Sequence, residues 1–441
     1  MTLTPPFLPP ELKASIAADC FDHDKAILGS LSQVSREWRF PAQAFLLRKI
    51  CIPIIKIQTL QEALLLPCSS LSVYITEIGV YGDRDFSENN QVSTSQLVAL
   101  ATILPNLRCL ALYGEVRIIV DKDVYKSRSP LTLALTGILT DIQSLTVLLS
   151  HFSGGSQLML DGVMLSNPAS NMADIPSPPL EPEDFLALKR VYFGMLLKHM
   201  SCTVSLSCLY DQLLGLFPHT LSSFGMAIDL SYERGVVRMN DFLRTKARHL
   251  KDLQLDFATP ITIFGEDLWD FIDDGMDTMD HGFGRIPTSW RAVSLSESCP
   301  ALQVLTIAIT VKKEFQHACS SAILYWRFAL QMVASSPRTI KSIRIGLYVD
   351  KVSGADPEFE DMSYKDCTMN GVDWRKWDEV LGGFEHLEEL VFFRMEHRRR
   401  DQRHYEPMIS HNPVPEGFIQ EMRAIVGEGS SISLWQLVRF A

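Results

Sequence analysis

One apolar spacing recurs along most of this chain, from about residue 70 to its last residues. In each copy a second apolar residue lies three positions after the first, and a third lies two positions after the second. Side chains two apart lie on the same side of a strand, so the last two of each copy can face one core. The nine copies are Ile75/Ile78/Val80, Leu107/Leu110/Leu112, Ile142/Leu145/Val147, Leu188/Val191/Phe193, Leu221/Phe224/Met226, Leu250/Leu253/Leu255, Leu302/Leu305/Ile307, Ile340/Ile343/Ile345 and Leu387/Leu390/Phe392, and a weaker tenth is Ile432/Trp435/Leu437. The spacing therefore predicts one strand per copy.

Helix signals lie between these strands. Pro105, Pro218, Pro300 and Pro337 each stand two or three residues before the first apolar position of a copy, where a preceding helix has to end. The stretches 95–104 and 322–334 have helical composition. One strand and one helix per copy, stacked on the next copy, is the organisation of a solenoid.

The predicted fold class is α/β, with a small N-terminal three-helix module followed by parallel strands plus helices. The repeated part resembles the leucine-rich repeat in a degenerate form, which implies an irregular solenoid. The copies depart from that family because their starts lie between 29 residues apart (221 to 250) and 52 apart (250 to 302), and the family's Asn after the strand is missing. An ordinary α/β domain with parallel strands gives similar apolar runs and remains the alternative.

The first fifty residues have the pattern of three short amphipathic helices. Pro9 and Pro10 can open the first helix, because its first turn needs no N–H donor. Residues four apart form its apolar stripe, Asp24 can cap a second helix, Trp38 ends that helix, and Pro41 starts a third. The apolar residues of the first two helices are Leu12, Ile16, Cys20, Ile27, Leu28, Leu31 and Val34. A module this small is marginally stable alone, which favours docking on a partner over packing against its own chain.

This module resembles the F-box, most closely the version found in many fungal F-box proteins. The motifs that carry the resemblance are Leu8-Pro9-Pro10-Glu11-Leu12 and Val34-Ser35-Arg36-Glu37-Trp38. Lys13, Ala14 and Cys20 depart from the family, which carries apolar residues at these positions. The resemblance covers about residues 5–50 and leaves 51–441 as the repeat region.

The resemblance implies a partner and a function. The F-box face binds the Skp-type adaptor, which bridges to a cullin scaffold, so this chain is expected to be a substrate receptor of a ubiquitin ligase. Carried over by position, the adaptor contacts are Leu8, Pro9, Leu12, Ile16, Leu28, Leu31, Val34 and Trp38. A repeat scaffold without a ubiquitin role and an α/β enzyme with a site at the strand ends are the two alternatives.

Composition restricts the other functional classes. A net charge of −11 argues against nucleic-acid binding, which needs a basic face. Nine cysteines without a Cys-x-x-Cys pair, together with no Asn-x-Ser/Thr acceptor, indicate an intracellular location in the cytoplasm or nucleus. There is no secretory signal, and no run of 18 apolar residues predicts a membrane span.

Three insertions interrupt the predicted repeats, at about 166–184, 265–285 and 394–416. The first is rich in proline, the second is acidic without the oxygen spacing of a calcium loop, and the third contains five arginines. The basic insertion can meet an acidic segment or a phosphate, although a solvated loop explains it equally simply.

Motifs for catalysis or a cofactor are missing from the sequence. There is no Gly-x-Ser-x-Gly elbow and no phosphate-binding glycine loop, and His199, Cys202 and Cys208 are too few for a zinc site. We therefore predict a protein without cofactor or metal that is not an enzyme and binds an unknown substrate protein.

Strand alternation predicts where that substrate binds. Residues between the core positions of each copy point to the opposite, concave face. Tyrosine and arginine are enriched at interface hot spots, which singles out part of this face. The predicted substrate contacts are Tyr81, Tyr113, Tyr192, Asp252, Gln254, Asp256, Arg344 and Phe393.

Overall fold

The computed structural model describes the chain in fifteen segments, which form two compact units. One unit runs from the N terminus to Gly155, and the other contains the described residues from Ser156 onward. The segments are 8–23, 25–66, 71–82, 90–114, 116–119, 131–152, 154–166, 182–194, 196–198, 212–227, 233–257, 292–311, 318–349, 373–395 and 438–440. Asp24, the candidate zinc ligands, the 265–285 insertion, most of the other two insertions and the tenth copy lie outside these segments.

The first unit begins with the predicted three helices. They are α1 (Pro10–His23), α2 (Lys25–Val34) and α3 (Arg36–Leu46). Their shared core is small: Ala17, Leu28 and Ala42 are fully buried, and a few partly buried side chains pack around them. The three helices confirm the first part of the predicted fold class. The boundary of a separate module at residue 50 stays a prediction.

The junction between α2 and α3 differs from the expectation. Ser35 is extended, with φ −157° and ψ 164°, and its carbonyl oxygen accepts the first hydrogen bond of α3, from Arg39 N at 3.1 Å. Trp38 therefore lies inside α3 and does not end α2, and Pro41 lies in the interior of α3 and does not start it. Pro41 lacks an N–H for the carbonyl four residues earlier, so α3 loses one hydrogen bond. The extended backbone of Ser35 ends α2 at Val34, before Trp38.

The strands of the first unit form two parallel groups. In the larger group each strand pairs with the next one along the chain, and a smaller group follows the ends of these strands. The larger group is β1 (Lys49–Pro53), β2 (Glu77–Tyr81), β4 (Cys109–Tyr113) and β6 (Thr132–Thr136), and the smaller is β3 (Gln91–Ser93), β5 (Arg117–Ile119) and β7 (Leu139–Asp141). The helices between them are α4 (Ile57–Leu64), α5 (Thr94–Ile103) and α6 (Ile142–His151). The helices α4, α5 and α6 pack side by side in that order.

The second unit repeats this arrangement. Its main strands are parallel, and each pairs with the next main strand along the chain. They are β8 (Gln157–Asp161), β10 (Arg190–Phe193), β12 (Ser223–Ala227), β13 (Asp252–Asp256), β14 (Val304–Val311), β15 (Ser342–Val349), β16 (Glu389–Met395) and β17 (Val438–Phe440). Two shorter strands, β9 (Val163–Ser166) and β11 (Leu196–Lys198), pair with each other. The helices are Glu233–Lys246, Leu295–Ser298, Ala318–Ala334 and Trp374–Leu381.

The predicted apolar pair of a main strand lies in the core. Ile78 and Val80 in β2 and Leu253 and Leu255 in β13 are at most 1% exposed, and the corresponding pairs of β4, β6, β8, β10, β12, β14, β15 and β16 are at most 5% exposed. The pair of β1, Ile50 and Ile52, is half-buried. Parallel strands joined through helices confirm the α/β class and the solenoid-like repeat in each unit. Eight of the nine predicted copies lie on the strands expected for them.

The copy Ile142/Leu145/Val147 is wrong, because these residues lie in helix α6. Asp141 caps the helix, and its carboxylate accepts from Ser144 N at 2.8 Å, so the apolar residues follow a helical period. The strand of this repeat is β6, whose core pair is Leu133 and Leu135.

Two further main strands, β1 and β8, were not predicted, and neither were the shorter strands β3, β5, β7, β9 and β11. The pattern is present in β1 as Leu47, Ile50 and Ile52, but it falls within the predicted helical module. In β8, Gly155 stands where the first apolar residue belongs. A Cβ atom there would overlap the carbonyl oxygen of Leu131, so no larger residue fits.

Three glycines turn the chain at equivalent corners. Gly114, Gly137 and Gly162 directly follow β4, β6 and β8, and have φ values of 75°, 63° and 60°. Glycine adopts this left-handed conformation without a Cβ clash. The glycine after the apolar pair is a signal of the repeat that the sequence prediction missed.

Replacing Gly155 by alanine should destabilise the first unit, because the new methyl group meets a backbone carbonyl. We expect the free energy of unfolding in urea to fall by about 2 kcal/mol. Gly29→Ala is the control, since a Cβ at this helical position in α2 meets nothing within 4 Å. That variant should leave stability unchanged or raise it by up to about 1 kcal/mol. Equal stability of Gly155→Ala and the parent would contradict the contact.

Candidate protein-binding surfaces

The N-terminal module carries apolar side chains on its outside. Leu12 and Ile16 on α1 are 53% and 42% exposed, Ile27 and Val34 on α2 are 46% and 70% exposed, and Phe40 on α3 is 62% exposed. Five large apolar side chains within 29 residues form a surface that a self-contained module does not need. We call these five residues the apolar surface.

Helical spacing explains how the apolar surface and the module core coexist. Leu12 and Ile16 are four residues apart on α1, and Ile27, Leu31 and Val34 are four and three apart on α2. Leu28, next to this stripe in sequence, points inward and is fully buried. Each of the two helices therefore has one apolar side in the core and another in contact with solvent.

The structure divides the predicted adaptor contacts into three groups. Leu12, Ile16, Val34 and Pro9 are exposed, and Leu8, Leu31 and Trp38 are half-buried. Leu28 is 0% exposed, so its predicted contact with a partner is wrong. The prediction transferred the position from a sequence motif, and the motif does not separate core leucines from surface leucines.

Two members of the apolar surface were missed. Ile27 lies in the same stripe as Val34, so the helical period was sufficient to find it. Phe40 lies on α3, and the expected start of that helix at Pro41 placed Phe40 outside it.

Lys13 departs from the family pattern for a structural reason. Its side chain is buried, and its ammonium group pairs with the carboxylate of Glu37 on α3. The Glu37 side chain remains 59% exposed, so water screens the pair and its contribution is modest. Lys13 thus connects α1 to α3 and does not take part in the apolar surface.

The position of Leu28 in the module core can be tested against that of Val34. Leu28→Ala should lower the free energy of opening of residues 10–46 by about 2–5 kcal/mol, because it leaves a cavity in a small core. Val34→Ala removes atoms already in solvent and should change it by less than about 0.5 kcal/mol. Amide hydrogen exchange of the full chain measures both, and similar effects of the two variants would contradict the assigned burial.

The second candidate surface is the side of the second unit's strands opposite the core. Strand register places Tyr192, Gly225, Gln254, Thr306 and Arg344 in one row across β10, β12, β13, β14 and β15. Neighbouring strands lie about 4.8 Å apart, so Tyr192, Gln254 and Arg344 repeat at roughly 10 Å. We call Tyr192, Gln254 and Arg344 the open-face row.

Gly225 allows the ring of Tyr192 to lie across the strand beside it. A Cβ atom on Gly225 would lie 2.5 Å from Cδ2 of Tyr192. The Tyr192 hydroxyl donates to Oδ2 of Asp256 at 3.4 Å, two strands away. A glycine inside a strand marks such a close approach.

Arg344 is held by polar neighbours at the other end of the row. Its Nη2 lies 3.1 Å from Oε1 of Glu389, and its Nε donates to Oγ of Ser342 at 3.2 Å. The Ser342 hydroxyl donates to the same Glu389 oxygen at 2.5 Å. The Arg344 side chain is still 38% exposed, and two hydrogen bonds orient its guanidinium, which suits recognition of a partner's polar group.

Asp252 lies beside this row. Burial raises the pKa of the Asp252 carboxyl, while a hydrogen bond from Ser223 at 3.2 Å and the charges of Arg344 and Arg190 lower it by less. The side chain amide nitrogen of Gln254 is also buried and has no hydrogen-bond acceptor.

The predicted substrate contacts are only partly accessible. Tyr192, Asp252, Gln254 and Arg344 lie close together on the open face, and Tyr81 is half-buried in the first unit. The exposure predicted for Tyr113, Asp256 and Phe393 is wrong, since these side chains are 9%, 4% and 1% exposed.

Tyr113 is buried for the same reason that Tyr192 lies flat. A Cβ atom on Gly79 of the neighbouring strand would lie 2.8 Å from Cε1 of Tyr113, so the ring covers that glycine. The Tyr113 ring also stacks on Tyr81, with centroids 5.9 Å apart. In the strand register Gly79 pairs with Ala111 and Tyr81 pairs with Tyr113, so the Tyr113 ring reaches Gly79 diagonally.

The described segments lack two other classes of site. No group of three or more His, Cys, Asp and Glu side chains there is arranged to hold a metal ion. None of the helices in these segments combines the length and apolarity of a membrane span.

Comparison with known proteins gives no family. No protein-family model matches the chain, and no curated protein does. Among solved structures, one described as the crystal structure of the Rad7 and Elc1 complex in yeast aligns with 91% of this chain and 92% of its own. The identity is 11% and the TM-score is 0.29, and values this low establish neither a shared family nor a shared partner.

Because the pKa of the Asp252 carboxyl is raised, removing its charge should stabilise the folded chain by an amount that depends on pH. At neutral pH the buried carboxylate destabilises the folded chain, and asparagine removes the charge while keeping an oxygen acceptor for Ser223. We expect Asp252→Asn to unfold at higher urea than the parent at pH 7. The difference should shrink as pH falls through the raised pKa and disappear below the ordinary pKa of aspartate.

Asp373→Asn is the matched control. A hydrogen bond from Lys376 lowers the pKa of the exposed Asp373 carboxyl, so its ionised form stabilises the fold. That variant should be no more stable than the parent at pH 7. Greater stability than the parent for both variants at pH 7 would show that the raised pKa of Asp252 is not the cause of the stabilisation.

Proposed function

We propose that this chain is a substrate-receptor subunit of a Skp-cullin-F-box ubiquitin ligase. The observation that carries the proposal is the apolar surface of the N-terminal module. The three helices use one side for a minimal core and leave Leu12, Ile16, Ile27, Val34 and Phe40 in solvent. The F-box-like motifs in the same residues give the partner its proposed identity, a Skp-type adaptor.

The apolar surface supplies part of the binding energy. Burying the exposed part of five such side chains contributes roughly 5 kcal/mol. The loss of positional freedom on association is of the same order. Additional contacts are therefore required, and the half-buried side chains of Leu8, Leu31 and Trp38 are available for them.

The repeat region would hold the substrate. The open-face row offers the half-buried ring of Tyr192 and the oriented guanidinium of Arg344. In this proposal the chain is not an enzyme and works inside the cell: it raises the effective concentration of a substrate lysine near a ubiquitin-loaded enzyme.

A pull-down with a Skp-type adaptor and a cullin tests the proposal. Leu12→Asp/Val34→Asp places two charges on the apolar surface and should reduce adaptor binding at least about a hundredfold, because each buried unpaired charge opposes docking. Co-purification of the cullin should be lost in parallel. Both residues are exposed, so the folded module should persist, as circular dichroism of the full chain will report.

The control is Leu65→Asp/Leu186→Asp, which places the same charges on exposed leucines outside the module. This control should bind the adaptor like the parent. Unchanged adaptor binding by the Leu12/Val34 variant would refute the docking surface. Adaptor binding without cullin would instead support the scaffold alternative.

A further inference from the structure

The edge of the second unit at which its strands begin is basic, although the protein is acidic overall. The turns that lead into β10, β12, β13, β14 and β15 contain no aspartate or glutamate at 186–189, 218–222, 247–251, 299–303 and 335–341. All seven of their basic or imidazole side chains are exposed. They are Lys189, His219, Arg248, His249, Lys251, Arg338 and Lys341. We call this set the basic edge.

Backbone hydrogen bonds fix the spacing of three of these lysines. Ser222 N donates to Lys189 O at 2.9 Å, and Lys251 N donates to Ser222 O at 2.9 Å. The ladder continues from Gln303 N to Lys251 O and from Lys341 N to Gln303 O, both at 2.8 Å. Lys189, Lys251 and Lys341 are therefore each two strands apart, at about 9.6 Å between their backbones.

The basic edge borders a groove. A cavity of about 600 Å³ is lined by Lys251, Gln303, Lys341, His386 and Glu388, among others. The turn before β16 carries Glu385 and Glu388, so the sign of the charge reverses where the row ends. The Nζ atom of Lys341 lies 2.8 Å from Oε1 of Glu388, but both side chains are at least half exposed and can exchange partners with a ligand.

We propose that the basic edge binds an extended, acidic protein segment with a carboxylate or phosphate at every third residue. A polyproline II helix has three residues per turn and rises about 3.1 Å per residue, so its every third side chain lies on one side at about 9.3 Å. That repeat matches the spacing of Lys189, Lys251 and Lys341. In a protein with a net charge of −11, an acidic segment is attracted where cations cluster without carboxylates, as they do in these five turns.

A nucleic acid fits the basic edge less well. Duplex DNA carries a negative charge about every 1.7 Å along its axis, whereas these lysines supply one about every 9.6 Å. The acidic remainder of the protein would repel the flanking phosphates. The proposal is independent of adaptor docking, because it uses only residues of the second unit.

Fluorescence anisotropy with the full chain at low salt tests the proposal. The probe is a labelled peptide of four Glu-Pro-Pro repeats, and the reference peptides are its Gln-Pro-Pro counterpart and one with the same glutamates in a single run. We expect the Glu-Pro-Pro peptide to bind at least about tenfold more tightly than the Gln-Pro-Pro peptide, as expected for several exposed charge pairs. It should also bind more tightly than the clustered peptide. Equal binding of the three peptides overturns the proposal.

The variants locate the site. Lys189→Gln/Lys251→Gln/Lys341→Gln should weaken binding of the Glu-Pro-Pro peptide about tenfold. The control Lys56→Gln/Arg375→Gln/Lys376→Gln removes the same charge from exposed positions elsewhere. It should change the affinity for the Glu-Pro-Pro peptide less than about twofold. Circular dichroism confirms folding, and Lys251→Glu alone should also weaken binding. Equal losses in both triple variants, or tighter binding of a single-stranded oligothymidylate than of the peptide, would overturn the proposal.

These measurements need no adaptor, so their outcome is separable from that of the proposed ligase function. Loss of peptide binding leaves the adaptor pull-down unaffected. Failure of the pull-down leaves the peptide measurement intact.

Discussion

The parallel hydrogen-bond ladder between successive strands is the constraint on which the rest of this structure depends. It keeps each strand in register with the next, so alternate side chains fall on two opposite sides. The apolar pair of most main strands then enters the core of its own unit, as Leu305 and Ile307 do in β14. The same ladder aligns Tyr192, Gln254 and Arg344 on the open face and the lysines of the basic edge. Both candidate surfaces of the second unit therefore derive their spacing from the strand register.

Glycine determines how much of the open face a partner can reach. Gly79 and Gly225 each lie under a tyrosine ring from the neighbouring strand. The ring over Gly79 buries Tyr113, whereas the ring over Gly225 stays half-buried and spans to Asp256. The two surfaces differ because Gly225 pairs directly with Tyr192, whereas Gly79 pairs with Ala111 and the Tyr113 ring also stacks on Tyr81.

The N-terminal module has a core too small to enclose all of its apolar side chains. Its core consists of Ala17, Leu28 and Ala42 with a few partly buried neighbours, too little for a stable isolated domain. Apolar side chains remain outside because three short helices cannot enclose them all. The buried Lys13, held by Glu37, shows that even its helix contacts are partly ionic.

By itself the sequence determined most of the main strands, in which an apolar residue stands three positions before the apolar core pair. It also determined the helices at 95–104 and 322–334 and the presence of three N-terminal helices. A period of two or of about 3.6 residues is a local property that can be read without coordinates. Only the tertiary structure decided that 142–147 is helical, that Gly155 replaces an apolar residue beneath a carbonyl, and that Leu28, Asp256 and Phe393 are buried. Those outcomes depend on capping, on backbone contacts between distant residues and on which of two apolar sides meets the core. Neighbours that are remote in sequence decide which of two apolar sides of a helix or strand faces the core. Local periodicity contains no information about those neighbours.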